Sequence, residues 1–491
     1  MQRHLRNWPF FAYVLLSLAA LYFHECWRDE IQALLIAKAP IGIKDFFWET
    51  LHFEGHPFLW FYTLKIFSPF GVHPLGLQLA NSLFMIGTVA LFWWKFPLPS
   101  SLKALFVFNY YFLFEYGVVA RSYTLGIFLL FTYLAFYDSP QSRYRNLSLV
   151  ALVLSIQVSI YSLMIACALF IPYFYKEIKH NKKSTSIATF CILLSVLLAI
   201  LQMIPAEGQS MNSPALLKLD WSAFLQVFSR LGEVFLYIPP VQFYPRLWPL
   251  PFPFMPALVF LRGTLALFAI SSFCYFLYKR KPTLCFAYLL GTCSILAFSY
   301  IKFLGSIRHM AHLLVLIALF YWLAQKERFK ELKNETSQFL FLVASLSALS
   351  GAILYCADIV YPFSDAKNAS KVVSASDKLI IGLPDFAVST LSGYLDGKEI
   401  YYLNTQRSGT YIKWDHPPNA ETVNFKESIL ETLDKYKTNE ALFVTNNRPL
   451  AGFLQNLIPN DIIYESNICI VPDECYIVAK IRRAMFKNKK D

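Results

Sequence analysis

Two short acidic segments near the amino end carry side chains that can move protons. Asp29 and Glu30 stand side by side directly after an apolar run, and Glu54-Gly55-His56-Pro57 opens the next apolar run. A carboxylate at a membrane boundary is costly unless it is solvated or paired, which makes it a functional candidate. Neighbours on a helix point about 100° apart. We therefore expect one carboxylate to act as a base or metal ligand while the other orients it or caps the helix.

Capping is the main alternative for Glu30, because anions are favoured in the first turn of a helix. Asp29, Glu54 and His56 together also offer ligands for a divalent metal ion. His56 has two other uses open to it, a hydrogen bond to a substrate or simple packing before the following proline. A solvated acidic loop with no chemistry is the alternative for the whole set.

Cationic residues occur at two later places where apolar runs end. Glu115 and Arg121 frame one of them, and Lys302, Arg308 and His309 lie in the other. A guanidinium forks onto a phosphate group. The two places therefore predict a phosphate or pyrophosphate site, with Arg121 and Arg308 close together. An ion pair between Glu115 and Arg121, or anchoring of long side chains at lipid headgroups, is the alternative.

Composition identifies the scaffold as a polytopic membrane protein. Of 491 residues, 56% are hydrophobic and only 15% are charged, whereas soluble domains carry about 25% charged residues. The 46 Phe, 29 Tyr and 10 Trp suit interfacial belts. In a membrane protein, the cytoplasmic loops account for much of the net charge of +12. No basic run is interleaved with aromatic residues, so the pattern does not predict nucleic-acid binding.

The apolar runs predict a mainly α-helical bundle of about eleven spans, several of them shorter than the roughly 20 residues of a straight span. The predicted spans are Trp8–Phe23, Pro74–Trp94, Ala104–Tyr116, Tyr123–Tyr137, Leu147–Val158, Ser162–Tyr175, Ser186–Ile204, Gly263–Tyr278, Thr283–Ile301, Met310–Ala324 and Phe339–Cys356. Residues 24–73 form the first outer loop, with short interfacial helices over Asp29–Lys38, Asp45–His52 and Pro57–Phe70.

The distribution of Lys and Arg sets the orientation. These residues are denser in the loops that face the cytoplasm when the amino terminus is inside, as the positive-inside rule requires. An odd number of spans then places the carboxyl-terminal segment outside. We expect a multi-pass protein of the cell (inner) membrane. Its first span resembles a signal peptide but has a weak cleavage signal, so it is predicted to remain uncleaved.

The tail changes character at Ser364, which divides the chain into a membrane domain (1–363) and a small extracytoplasmic α/β domain (364–491). Alternating strands and helices predict a largely parallel sheet. The predicted strands are Lys378–Gly382, Glu399–Leu403, Ala441–Thr445, Ile462–Glu465 and Tyr476–Ile481, and the predicted helices are Asp385–Leu395, Lys426–Tyr436 and Leu450–Leu457. Cys469 and Cys475 either close a hairpin disulfide or remain two free thiols.

The order and common side of the motifs resemble the type C glycosyltransferase superfamily, in particular bacterial protein O-mannosyltransferases and aminoarabinose transferases. The residues that carry this likeness are Asp29-Glu30, Glu54-Gly55-His56-Pro57, Ala120-Arg121 and Arg308-His309. The resemblance implies transfer of a sugar from a polyprenyl-phosphate donor in the membrane lipid to an unidentified glycan, lipid or protein acceptor on the outer face. By resemblance, Asp29 is the catalytic carboxylate and Arg121 and Arg308 contact phosphate.

Two other classes of protein are alternatives to a glycosyltransferase. A transporter or lipid flippase typically carries inverted repeats and charges at mid-membrane, but this chain has no internal repeat and its charges gather at one face. A non-catalytic assembly factor would present the outer α/β domain to a partner. Such a factor would still work without Asp29.

Overall fold

The long apolar runs form helices that overlap every predicted span. The computed structural model describes residues 7–69, 71–208, 219–238, 256–326, 334–415, 424–446 and 461–486. Its long helices are α1 (Trp8–Phe23), α6 (Pro74–Lys95), α8 (Ser122–Phe136), α9 (Ser142–Ile156), α10 (Ile160–Glu177), α11 (Lys182–Met203), α13 (Pro256–Arg280), α14 (Pro282–Ile301), α16 (His312–Lys326) and α17 (Asn334–Val360). A single turn, α15 (Ile307–Met310), precedes α16.

Length and hydropathy select the segments that are able to cross a membrane. Within the described ranges, six stretches pass both criteria: Pro74–Lys95, Lys182–Met203, Ala257–Arg280, Pro282–Ile301, Ile307–Lys326 and Val343–Val360. Helix α1 and the helix after it, bent by 80°, add a seventh if they form one span. The chain is therefore an integral membrane protein, and the count of eleven spans stays a prediction.

The third predicted span is not continuous, and the expectation of one helix over Ala104–Tyr116 was wrong. Helix α7 (Ser100–Val107) ends early, and a π-helical segment follows over Tyr110–Glu115. Asn109 lies between them in an extended conformation, and its side-chain oxygen accepts a hydrogen bond from the Phe112 amide at 2.8 Å. Such a local bond competes with the helical ladder. Asn109 thus caps the π-helical segment that ends at Glu115, shortly before α8 begins.

The first loop folds into short helices that lie against the bundle. They are α2 (Arg28–Lys38), α3 (Ile43–Asp45), a π-helical turn over Phe46–Thr50, α4 (Leu51–Glu54) and α5 (Leu59–Phe67). Ile31, Leu34 and Leu35 of α2 are buried in one apolar cluster with Trp60 and Leu64 of α5. The three predicted short helices are thus present. The core between α2 and α5 fixes the first turn of α2, which carries Asp29.

Sequence reasoning missed an amphipathic helix in the proline-rich loop between α11 and α13. Helix α12 (Trp221–Phe235) packs along α13, where Gly232 comes so close that a Cβ atom there would lie 2.6 Å from the Gly263 nitrogen. Apolar residues recur at Phe224, Phe228 and Leu231, a spacing typical of a one-sided helix. The prolines around this segment concealed that signal.

The tail forms a six-stranded sheet in the order β3-β2-β1-β4-β6-β5. The strands are β1 (Leu379–Leu383), β2 (Ile400–Tyr402), β3 (Arg407–Gly409), β4 (Glu440–Thr445), β5 (Ile462–Glu465) and β6 (Ile477–Arg482), and the helices are α18 (Ala366–Ser374), α19 (Asp385–Val388), α20 (Thr390–Tyr394) and α21 (Phe425–Lys435). Only β1–β2 and β1–β4 are parallel, while the other three pairs are antiparallel.

The prediction of a largely parallel sheet was therefore wrong. Short connections explain the difference, because β2 joins β3 and β5 joins β6 without a crossover helix, and hairpins require antiparallel strands. Strand β3 itself was missed. The predicted helix Leu450–Leu457 lies outside the described residues. A disulfide joins Cys469 and Cys475, with Cα atoms 5.8 Å apart, so the hairpin alternative is confirmed.

The sheet unit contacts the first loop directly. Arg28 at the start of α2 pairs with Asp473 at 2.6 Å, and its amide lies 3.3 Å from a carboxylate oxygen of Glu474. The Tyr394 hydroxyl donates to the Cys26 carbonyl at 3.2 Å. Gly393 faces Ile31 so closely that a Cβ atom would lie 2.5 Å from it. The tail is thus packed onto the helix that carries Asp29.

Candidate active site

Asp29 lies at the centre of a cluster of three arginines. Its Oδ2 atom accepts a hydrogen bond from Arg308 Nη2 at 3.1 Å and forms an ion pair with Arg121 Nη1. Its Oδ1 atom lies 3.8 Å from Arg28 Nε. The prediction that Arg121 and Arg308 approach one another is confirmed, since both guanidinium groups reach the same oxygen. The structure thus joins residues that are 279 positions apart in the chain.

The charge state of Asp29 follows from two opposed effects. Burial raises the pKa of its carboxyl group, but Arg121, Arg308 and Arg28 together lower it further, so the net pKa lies below the ordinary value. Asp29 is therefore ionised at neutral pH. Its side chain keeps 26% of its surface exposed, so the carboxylate remains open to a reactant.

Aromatic rings and a second carboxylate hold the two phosphate-binding candidates in place. The guanidinium of Arg121 lies 5.8 Å from the Tyr123 ring centre, and that of Arg308 lies 5.2 Å from the Trp27 ring centre. Arg308 Nη1 also lies 4.0 Å from Glu115 Oε1. Glu115 is buried, and its carboxylate faces Arg308.

Glu30 is fully buried and uses its oxygens within the protein. Its Oε2 atom accepts a hydrogen bond from the Trp27 amide at 3.1 Å, and its Oε1 atom accepts one from the Ala120 amide at 2.6 Å. His24 Nε2 lies 3.2 Å away, and His24 Nδ1 bonds to Asp358 at 2.8 Å. This is the geometry of the capping alternative: Glu30 closes the start of α2 and ties it to α17 through His24.

Glu54 and His56 lie beside the arginine cluster. Glu54 Oε1 accepts a hydrogen bond from Gln32 at 2.9 Å, and burial raises the pKa of Glu54 to about 7. Burial lowers the pKa of His56 to about 4, with a further contribution from Arg121. The imidazole is therefore neutral at pH 7. It packs edge-on against Tyr123, with ring centres 6.0 Å apart.

Lys302 and His309 lie at two different places in the cationic segment before α16. Lys302 is half-buried directly after α14. His309 is buried next to Arg308, and its Nδ1 atom accepts a hydrogen bond from the Ser306 amide at 2.7 Å. In the neutral imidazole, the proton is therefore on Nε2. The His309 ring packs against Tyr123 and Tyr161 at 5.4 and 5.5 Å.

Sequence reasoning missed two residues of this aromatic cluster. His312 stacks on Tyr161 with ring centres 4.9 Å apart and lies 5.2 Å from Tyr123. A histidine three residues after His309 falls on the same helix face, which is the signal that would have found it. Tyr161 comes from α10, a contact that spacing along the chain does not reveal.

Metal binding stays a prediction for Asp29, Glu54 and His56. In the described part of the chain, the group with ligand atoms within 4.8 Å of one another is a different one: His24, Cys26 and Glu30. Two of those three already bond to each other, and a buried ion pair satisfies them.

No protein-family model matches the sequence, and no curated relative matches it. Among solved structures, the chain is similar to ArnT from Cupriavidus metallidurans bound to undecaprenyl phosphate. The two chains are 10% identical, the likeness covers 97% of this chain and 98% of ArnT, and the TM-score is 0.52. At this identity the likeness concerns the fold. The resemblance inferred from the motifs is confirmed at that level: the chain has the fold of ArnT, an aminoarabinose transferase among the type C glycosyltransferases.

Proposed function

We propose that the chain is an integral membrane glycosyltransferase that moves a sugar from a polyprenyl-phosphate-linked donor to an acceptor on the outer face of the membrane. The observation that carries the proposal is the convergence of Arg121 and Arg308 on a partly exposed Asp29. The fold of ArnT, a protein solved with undecaprenyl phosphate bound, supports a lipid phosphate as the ligand of this cluster.

Arg121 and Arg308 would bind the donor phosphate and stabilise it as it leaves. Guanidinium groups match the geometry of phosphate oxygens and remain charged. Tyr123, Trp27 and Glu115 already hold these two guanidinium groups in place. Their N–H groups therefore need little rearrangement when negative charge develops on the phosphate, and such preorganised groups give the largest electrostatic stabilisation. We propose that Lys302 adds positive charge from the segment before Arg308 and that His309 offers its Nε2 proton to the sugar donor.

Asp29 would be the base that accepts the acceptor's hydroxyl proton. The acceptor oxygen bonds to the anomeric carbon, the bond from that carbon to the phosphate oxygen breaks, and the phosphate leaves with the electron pair. A carboxylate held by arginines is a weak base. When a donor phosphate engages Arg121 and Arg308, their pull on Asp29 weakens and its pKa rises, because opposite charge is what lowers it.

Glu54 and His56 are proposed to complete the reactant side of the site. Glu54, with a pKa of about 7, exchanges protons near neutral pH, and neutral His56 hydrogen-bonds the substrate. The Cys469–Cys475 disulfide supports an extracytoplasmic tail, because disulfides persist in oxidising compartments. That side of the membrane is where the acceptor is expected.

Sugar transfer by purified protein tests the proposal. Detergent-solubilised wild type is supplied with polyprenyl phosphates that carry labelled aminoarabinose, mannose or glucose, together with an envelope extract as the acceptor source. We expect label to move from lipid to acceptor with at least one donor, and Arg121→Ala to reduce that transfer strongly while Arg482→Ala, on the sheet unit, does not. Movement of intact donor across vesicles without transfer would favour the transporter instead.

A further inference from the structure

A cavity of about 270 Å³ opens next to the arginine cluster, between the first loop and the sheet unit. Its size approaches the lower end of ligand pockets, about 300 Å³. The first loop contributes one wall, and residues 411–413 of the tail contribute the other. The side chains that matter for its chemistry are Asp45, Glu49, Phe53, Glu54, Tyr411 and Lys413.

One glutamine connects this cavity to Asp29. Gln32 Nε2 donates to Glu54 Oε1 at 2.9 Å and to the Ile412 carbonyl at 2.8 Å, while Gln32 Oε1 accepts from the Ile412 amide at 2.9 Å. Gln32 follows Asp29 by three residues on α2, so the two side chains lie on the same face, about one turn apart. Two lining residues of the cavity, Glu54 and Ile412, are therefore bonded to a residue one helical turn from the proposed base.

The lining of the cavity differs from that of the phosphate site. Three carboxylates and one ammonium group line it, so its charge disfavours a phosphate. Carboxylate oxygens accept hydrogen bonds from hydroxyl groups. Phe53 and Tyr411 supply ring faces, which are negative and attract the positive C–H face of a sugar ring. Lys413, 5.7 Å from the Phe53 ring centre, supplies a donor.

We propose that this cavity binds a sugar ring of the acceptor, a hydroxyl-rich carbohydrate, and directs one of its hydroxyl groups toward Asp29. The assignment rests on the proposed glycosyltransferase function and names the acceptor class. It also gives the sheet unit a role, because Tyr411 and Lys413 belong to the tail. Charge separates the two substrates: the donor phosphate binds the arginines, and the neutral polyol binds the acidic wall.

Ligand binding by the full chain in nanodiscs tests this assignment without requiring catalysis. Saturation-transfer NMR measures binding of the methyl glycosides of glucose, galactose, mannose and glucosamine, and of a threonine-containing peptide. We expect at least one glycoside to bind, and its Kd to rise about tenfold in Tyr411→Ala and in Glu49→Gln. Glu49 is exposed, so its amide variant preserves the fold. Tyr436→Ala, an aromatic truncation on the same unit outside the cavity, should bind like wild type.

Undecaprenyl phosphate binding, measured in parallel, separates the two proposals. We expect Tyr411→Ala and Glu49→Gln to leave the Kd of this lipid unchanged. The cavity assignment is overturned if none of the glycosides binds, if the peptide binds in their place, or if both cavity variants bind the glycoside like wild type. Glycoside binding without any lipid phosphate binding would instead overturn the proposed function and leave the cavity as a carbohydrate site.

Discussion

At the scale of single residues, the arginines around Asp29 determine how the lipid phosphate is held. Arg308→Ala removes a buried guanidinium that contacts Asp29 at 3.1 Å. Hydrogen bonds to charged groups contribute about 1.5–3 kcal/mol, so the Kd for undecaprenyl phosphate should rise about 10- to 100-fold. Titration calorimetry in detergent measures it. The exposed Arg482→Ala serves as control. Equal Kd values for wild type and Arg308→Ala would remove Arg308 from the phosphate site.

Glu54 should leave a signature in the pH dependence of stability. Its pKa is raised from 4.5 to about 7 in the folded protein, so between these values the folded state binds more protons than the unfolded state. The wild type therefore loses stability through Glu54 as pH rises through that window. Glu54→Gln has no such loss. The melting temperature of the variant minus that of wild type should increase from about pH 5 to about pH 8.

Comparing the two proteins at each pH cancels the contribution of other groups. His56, with a pKa lowered to about 4, opposes Glu54 because it destabilises the folded state as pH falls. It is present in both proteins and drops out of the difference. A melting-temperature difference that stays constant across the window would mean that Glu54 is solvated like an ordinary carboxylate.

Single residues were predictable where a charge lies in a position that is energetically unfavourable without a partner. Asp29, Arg121 and Arg308 stand out because charges at the ends of apolar runs need a reason to be there. His24 did not stand out, since its partner Asp358 lies 334 residues away. The aromatic cluster around Tyr161 and His312 was also missed, because these residues are far apart in the chain. Tyrosines are, moreover, common at membrane interfaces in any case.

At the scale of elements, His24 joins three helices. It bridges Glu30 of α2 and Asp358 of α17 directly after α1 ends, and its side chain and both carboxylates are buried. Removing one partner of a buried ion pair typically costs about 3–5 kcal/mol, since the remaining charges are left uncompensated. His24→Ala should therefore unfold at a markedly lower temperature, as measured by tryptophan fluorescence in detergent. The exposed His180→Ala should melt like wild type. Equal melting of both variants would contradict this role.

Elements were predicted well where one strong signal dominates. Helix α1 matches its predicted limits because sixteen mostly apolar residues have no competing structure. The break at Asn109 was missed because a single polar side chain causes it. Helix α12 was missed because prolines lie close to its segment. Pairing directions in the sheet depend on which strands the short connections bring together. A pattern of alternating strands and helices does not contain that information.

At the scale of the whole molecule, the side of the membrane on which the tail lies remains a prediction. The positive-inside rule places the amino terminus in the cytoplasm and the tail outside. Phosphatase and fluorescent-protein fusions after Lys333 and after Lys371 should report opposite sides. The same reporter pair fused after Lys95 provides a cytoplasmic reference. If the fusions after Lys333 and Lys371 both report the cytoplasm, the whole proposed site is on the wrong side for an outer-face transferase.

The overall architecture was predictable because few folds satisfy the order of the motifs. The fold is similar to that of ArnT although the two chains are only 10% identical. In this sequence, the apolar runs and the charges at their ends determine which helices bury and which loops meet. The packing of the tail onto α2 through Arg28 and Asp473 lies beyond them, because both residues are ordinary surface charges in the sequence.

Sugar transfer by Asp29→Asn tests the central claim most directly. Asparagine keeps the shape of the side chain but cannot accept the acceptor's proton, and loss of a positioned base typically costs about 10²- to 10⁴-fold in rate. Purified Asp29→Asn, once shown to be folded at the assay temperature and to bind undecaprenyl phosphate, should transfer sugar at least 100-fold more slowly than wild type, roughly the lower limit of that range. Transfer by Asp29→Asn at the wild-type rate would contradict the assignment and make Glu54 the next carboxylate to examine.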